Sequence, residues 1–152
     1  AHLRILSGLY GILRPLDLMQ PYRLEMATRL ISERGQTLYD FWGPIITETL
    51  NKELEIMREQ VIVNCASKEY SRIVQQDLLT APMLSITFRQ QKDEALKTIA
   101  IYAKRARGMF VNYLIKKRID TIDQLTRFSG GGYRFAPHLS SSSELVFVTM
   151  LD

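Results

Sequence analysis

A chain of 152 residues that is 46% apolar and 24% charged can bury one sizeable core, which excludes disorder and fibrous architectures. Its uninterrupted apolar runs are only a few residues long, against the ~20 needed to span a bilayer, so no membrane partner is expected. Net charge is +4, which many proteins without a nucleic-acid partner also carry, and the single Cys65 has no internal disulfide partner, which fits a reducing, cytoplasmic setting.

The opening stretch, Ala1 to Leu6, predicts a short strand and lacks the regions of a signal peptide. With no initiator Met ahead of it, the chain is expected to be the later part of a longer protein whose N-terminal portion is missing. Ser7 to Asp17 carries Gly8, Gly11 and Pro15, which disfavour a continuous helix and predict a compact loop with one helical turn. Tyr22 to Leu30 follows Pro21 without helical periodicity and reads as extended. From Leu38 the apolar residues Phe41, Trp42, Ile45, Ile46, Leu50, Leu54 and Met57 recur at helical steps. Gly43 there turns the chain and Pro44 suits the first turn of the main helix.

Val61 to Cys65 is a short apolar run of the kind that forms a buried strand, and Ser67 can cap a helix reaching Val74. Met83 to Arg89 and Leu96 to Tyr102 alternate on either side of a polar turn and read as a hairpin. A helix follows, with Ala106, Met109, Phe110, Tyr113 and Leu114 as its apolar stripe and its cations on the rest of the surface. Thr121 is a candidate cap for a short helix that ends at Ser129-Gly130-Gly131-Gly132. Tyr133 to Phe135 and Glu144 to Val148 read as the last strands. The expected class is α/β with α+β character: a mixed sheet with packed helices in a single domain over residues 1–152, without repeats or a dividing linker.

Charge is unevenly distributed. Lys97, Lys104, Arg105, Arg107, Lys116, Lys117 and Arg118 occur with no acid among them, whereas Asp40 to Glu59 holds five acids against Lys52 and Arg58. The cationic segment, interleaved with Tyr102, Phe110 and Tyr113, can neutralise phosphates in a salt-dependent manner. A solvated face is the plainer alternative. The loop Leu6 to Glu25 offers Tyr10, Arg14, Asp17, Gln20, Tyr22, Arg23 and Glu25 on a backbone shaped by glycine and proline, either as a site or as a loop held by its own Arg–carboxylate pairs.

Metal chemistry is not expected, since His2, His138 and Cys65 stand at no ligand-like spacing. The triple glycine follows a helix and precedes a strand, the reverse of a phosphate cradle. Ser67 lacks the flanking glycines of a nucleophile elbow.

The run Leu6-Ser7-Gly8-Leu9-Tyr10-Gly11-Ile12-Leu13-Arg14-Pro15-Leu16-Asp17-Leu18-Met19-Gln20-Pro21-Tyr22-Arg23-Leu24-Glu25-Met26 closely resembles the signature of the YaaA family. Further blocks follow in order: Leu38-Tyr39-Asp40-Phe41-Trp42-Gly43, Asn64-Cys65-Ala66-Ser67-Lys68-Glu69-Tyr70, Tyr102-Ala103-Lys104-Arg105-Ala106-Arg107-Gly108, and Gly132-Tyr133-Arg134-Phe135 with Leu145-Val146-Phe147. The resemblance covers essentially the whole chain. It implies a role in surviving hydrogen peroxide stress and limiting intracellular iron, and a DNA-binding α/β fold with a helix-hairpin-helix-like element beside a basic cleft. The loop around Gly8 and Gly11 is one candidate for that element, and the missing N-terminal portion is another.

Resemblance and residue chemistry together select Tyr10, Arg14, Tyr22, Arg23, Glu25, Asn64, Ser67, Glu69, Tyr70, Lys104, Arg105 and Arg107 as residues expected to converge on one cleft. The leading expectation is a non-enzymatic protector without a cofactor, holding duplex DNA by its phosphates, with Tyr10 or Tyr22 free to stack on a base. The rival is an enzyme acting on a nucleotide, base or other small phosphorylated ligand, with Glu25 and Glu69 as its acid–base groups. Self-association through the surface left by the missing portion is a third expectation.

Overall fold

The computed structural model describes residues 2–57 and 60–151. Ala1 of the expected first strand, and Arg58 and Glu59 of the acidic stretch, lie outside the described residues. Contacts within the chain gather into two compact units, residues 1–57 with 66–81 and residues 58–65 with 82–152.

In the first unit, β1 (Ile5–Ser7) and β2 (Gly11–Leu13) form an antiparallel hairpin with Ser7 opposite Gly11. This replaces the helical turn expected here. Gly11 adopts φ +72, and the Ser7 hydroxyl accepts the Tyr10 N–H at 3.0 Å, so the chain reverses within a few residues. The same geometry removes the loop around Gly8 and Gly11 as a helix-hairpin-helix element. A second hairpin, β3 (Arg29–Ser32) with β4 (Gly35–Thr37), starts at the end of the stretch read as extended, Tyr22 to Leu30, and continues through residues for which no element was expected. Arg29, Leu30 and Ile31 are all exposed, so no alternation marked it.

Helix α1 (Leu38–Leu54) opens on a capping box in which Thr37 accepts the Asp40 N–H and the Asp40 carboxylate accepts the Thr37 N–H. Gly43, at φ 32 and ψ −129, breaks it, and Pro44 starts the second segment as the sequence predicted. Leu38, Ile46 and Leu54 form its buried face. Helix α2 (Lys68–Ser71) has Ser67 as its cap but ends before Val74. There the Gln75 N–H leaves the helical pattern to bond Thr47 Oγ1 at 2.9 Å, while Ile73 and Val74 bury.

The second unit is a mixed sheet in the order β5 (Ile62–Asn64), β6 (Met83–Lys92), β9 (Glu144–Met150), β8 (Arg134–Phe135), with β7 (Ala95–Lys97) also paired to β6. β6 runs parallel to β5 and β9, whereas β7 and β8 are antiparallel to their neighbours. The expected mixed α/β sheet is therefore present. Leu84, Ile86, Phe88 and Gln90 of β6 alternate into the core, and helix α3 (Ala100–Lys117) lays Ala103, Ala106 and Phe110 in the same hydrophobic cluster.

Phe88, fully buried, is the hub of that core, with ring centroids at 5.0 Å to Tyr133, 5.5 Å to Phe147, 5.9 Å to Phe110 and 6.0 Å to Phe128. Truncating such a ring to alanine costs about 3–5 kcal/mol. Helix α4 (Ile122–Leu125) forms as expected, yet the Thr121 side chain makes no capping bond. Gly130–Gly132 is a 3-10 turn leading into β8, in keeping with a structural rather than phosphate-cradling role.

Candidate functional site

The predicted site residues fall into two groups, one in each unit. In the first unit the β1–β2 hairpin and the following chain bring Tyr10 and Tyr22 edge to face at 5.5 Å, and the Tyr22 hydroxyl is hydrogen-bonded to Ser7. Tyr10 is equally engaged, since its hydroxyl accepts the Gln20 N–H at 3.0 Å. The sequence singled out both tyrosines but missed Ser7, which joins them; its position opposite Gly11 in the turn is the signal that identifies it.

Tyr70 adjoins this group. Burial raises its phenol above the ordinary tyrosine range, the nearby Glu69 carboxylate, Tyr22 and Glu25 raise it further, and a hydrogen bond from the Met26 backbone opposes them. The Glu69 carboxylate accepts the Ala27 N–H at 3.1 Å, and its carbonyl accepts the Tyr39 hydroxyl at 2.9 Å, with Arg72 stacked 5.0 Å above the Tyr39 ring. Ser67 remains a cap, accepting the Tyr70 N–H at 3.5 Å. Tyr10, Tyr22, Glu25, Glu69 and Tyr70 thus form one phenol–carboxylate cluster.

The arginines of the first block behave differently. Arg14 bonds Glu53 at 3.2 Å, and Arg4 bonds the other oxygen of the same carboxylate at 2.6 Å. These contacts hold the Glu53 carboxyl below the usual range, Arg4 contributing most. Arg14 is 66% exposed, and Arg23 is exposed.

In the second unit, Asn64 donates to Ser85 Oγ at 3.3 Å across the β5–β6 pair. Lys104 and Arg105 project from α3 into solvent, together with Lys116 and Lys117. None of these four has an ion-pair partner among the described residues. Arg107 turns inward instead: its Nε is buried without a hydrogen-bond partner, beside Cys65. Burial pushes the Cys65 thiol up to about 12, with the Arg107 guanidinium pulling the other way.

Sequence reasoning overlooked what fixes α3 in place. Gln90, buried in the sheet, donates from Nε2 to the Tyr133 hydroxyl at 2.6 Å and accepts the Ile99 N–H at the start of α3 through Oε1 at 2.7 Å. A glutamine at a core position of an alternating strand is the signal that marks it. In its C-terminal half, α3 lines a mainly apolar groove of about 440 Å³ with Met109, Tyr113 and Lys116, and Phe128 forms the facing wall.

The ordered motifs thus lie in a hairpin with its phenol–carboxylate cluster and in a cationic helix. Residues 1–139 match the family model described as peroxide stress protein YaaA. The chain belongs to that family. It is similar to UPF0246 proteins of Desulfotalea psychrophila (50% identical over 151 residues, 99% of this chain and 59% of the relative) and Acaryochloris marina (52% over 146 residues, 96% and 57%). A third, from Phenylobacterium zucineum, is 49% identical over 146 residues, covering 96% of this chain and 55% of that protein. The chain therefore spans under 60% of the length of these curated relatives. In this YaaA-family chain no helix among the described residues is long and apolar enough to cross a membrane. Nor do three metal-binding side chains of the His, Cys, Asp and Glu types gather in one place among those residues.

Proposed function

We propose that this chain serves the peroxide-stress response of its family by holding duplex DNA through its phosphates, with α3 as the principal contact, so that bound DNA is shielded from iron-driven radical damage. One observation carries this reading: Lys104, Arg105, Lys116 and Lys117 are exposed on a single helix, and among the described residues no carboxylate pairs with them. Unneutralised cations on a rigid rod suit a polyanion, whose binding releases counterions and ignores base sequence. Arg14, in the first unit, offers a phosphate less charge than its exposure suggests, because Glu53 is shared between it and Arg4.

Fluorescence anisotropy with a duplex over a range of salt concentrations tests the reading. Each phosphate contact contributes about 0.9 to the slope of log K against log salt, so Lys104→Ala/Arg105→Ala/Lys116→Ala should make that slope shallower by about 2–3. Binding that ignores salt, or no binding at all, removes the proposal.

A second reading has its own support. Tyr22, Glu25 and Glu69 all raise the Tyr70 phenol, and such a gathering of carboxylates and phenols repels a phosphate track but suits proton transfer on a base or nucleotide. Glu25→Gln should abolish turnover in that case and leave DNA affinity nearly unchanged in the first.

A further inference from the structure

The chain has eight glycines, and Gly108 alone has neither a positive φ nor any atom within 4 Å of the place its Cβ would occupy. Gly11 faces the Trp42 ring, Gly8 the Leu24 carbonyl, Gly130 and Gly131 core side chains, while Gly35, Gly43 and Gly132 adopt positive φ. Gly108 sits in the middle of α3, exposed and in helical conformation, where alanine fits without strain and favours the helix more. Nothing among the described residues explains it.

Its neighbours supply a reason. Lys104, Gly108, Asn112 and Lys116 follow at four-residue steps, so they form one ridge that winds about 120° around α3 from end to end, with Arg105 beside it. The ridge runs about 18 Å from Lys104 to Lys116, the rise of about five base pairs. All four are exposed. A polyanionic backbone lying on the two cationic ends must pass over the middle, and a side chain there would hold it away from both.

We propose that Gly108 is a contact point for the nucleic-acid backbone: its bare Cα lets the sugar-phosphate chain close onto α3 between Lys104 and Lys116, with the Asn112 amide as a donor one turn on. This rests on the reading of α3 as the phosphate-binding helix. Gly108→Ala and Gly108→Gln, made in the otherwise unaltered protein, separate the two ideas. Alanine should raise Tm by about 2–4 °C, yet weaken affinity for a short duplex by on the order of tenfold. Glutamine should weaken it further, and the salt slope should be retained because no charge has changed. Wild-type affinity in both variants, or a lowered Tm in Gly108→Ala, overturns the assignment. If those variants bind normally while the triple charge variant does not, the helix reading stands and only Gly108 fails. A wild-type protein without salt-dependent binding removes both.

Discussion

Gln90→Leu isolates the bond that ties the cationic helix to the sheet. Gln90 is 1% exposed, and its amide serves two partners, the Tyr133 hydroxyl and the Ile99 N–H. Leucine fills much of the same space but strands both. The Tyr133 hydroxyl, on a residue only 3% exposed, forfeits about 1–3 kcal/mol when left unpaired. Ile99 is more open, and water recovers part of its lost bond, so its share is about 0.5–1 kcal/mol. The expected loss is therefore roughly 1.5–4 kcal/mol, read as a lower urea midpoint at unchanged m-value. Adding Tyr133→Phe removes one of the stranded groups, so the double variant should be more stable than the sum of the single losses by about 1–2 kcal/mol. The reasoning is refuted if Gln90→Leu costs under about 0.5 kcal/mol, or if the two losses simply add.

Two further predictions concern titrating groups. Glu53 has a folded pKa below its unfolded value, so the stability from its two arginines is fully present above the unfolded pKa and is lost as pH falls through the folded one. Glu53→Gln should cost about 1 kcal/mol near neutrality, after allowance for solvent screening, and should flatten the acid limb of a pH–stability curve. A parallel downward shift of that curve would contradict it. Cys65 has its folded pKa raised, so the contribution of its burial is intact below the unfolded thiol pKa and disappears as pH rises toward about 12. Iodoacetamide at pH 8 should leave the native thiol unmodified and label it once guanidinium unfolds the chain; rapid native labelling would disprove the burial argument.

How much of this was legible beforehand depended on periodicity. The alternation of β6 and the three- and four-residue spacing of α1 and α3 were legible, including the break at Gly43, because each element buries one face and leaves the other wet. The strand expected over Leu96 to Tyr102, however, is only β7, ending at Lys97, and α3 already begins at Ala100. The β3–β4 hairpin left no trace, since Arg29, Leu30 and Ile31 all face water. The β1–β2 reversal was misread as a helical turn because composition reports that glycine permits a turn without saying which one. At the site, Tyr10, Tyr22, Glu25, Glu69 and Tyr70 were found by residue type, and geometry added Ser7. Arg107 looked like its neighbours in sequence, but helical phase turns its Nε away from water. Gly108 was invisible to pattern reading, for its meaning lies in the empty space around it.

Strand β6 is hydrogen-bonded along both edges, and the side chain of its residue 90 fastens the first turn of α3. The most protected segment of the unit is thereby also the anchor of its most highly charged surface. Amides in such a doubly flanked strand open only with the whole unit, so tension applied at α3 is borne by global unfolding rather than by local fraying. A polymer held along α3, as proposed, would load that support rather than peel the helix from it.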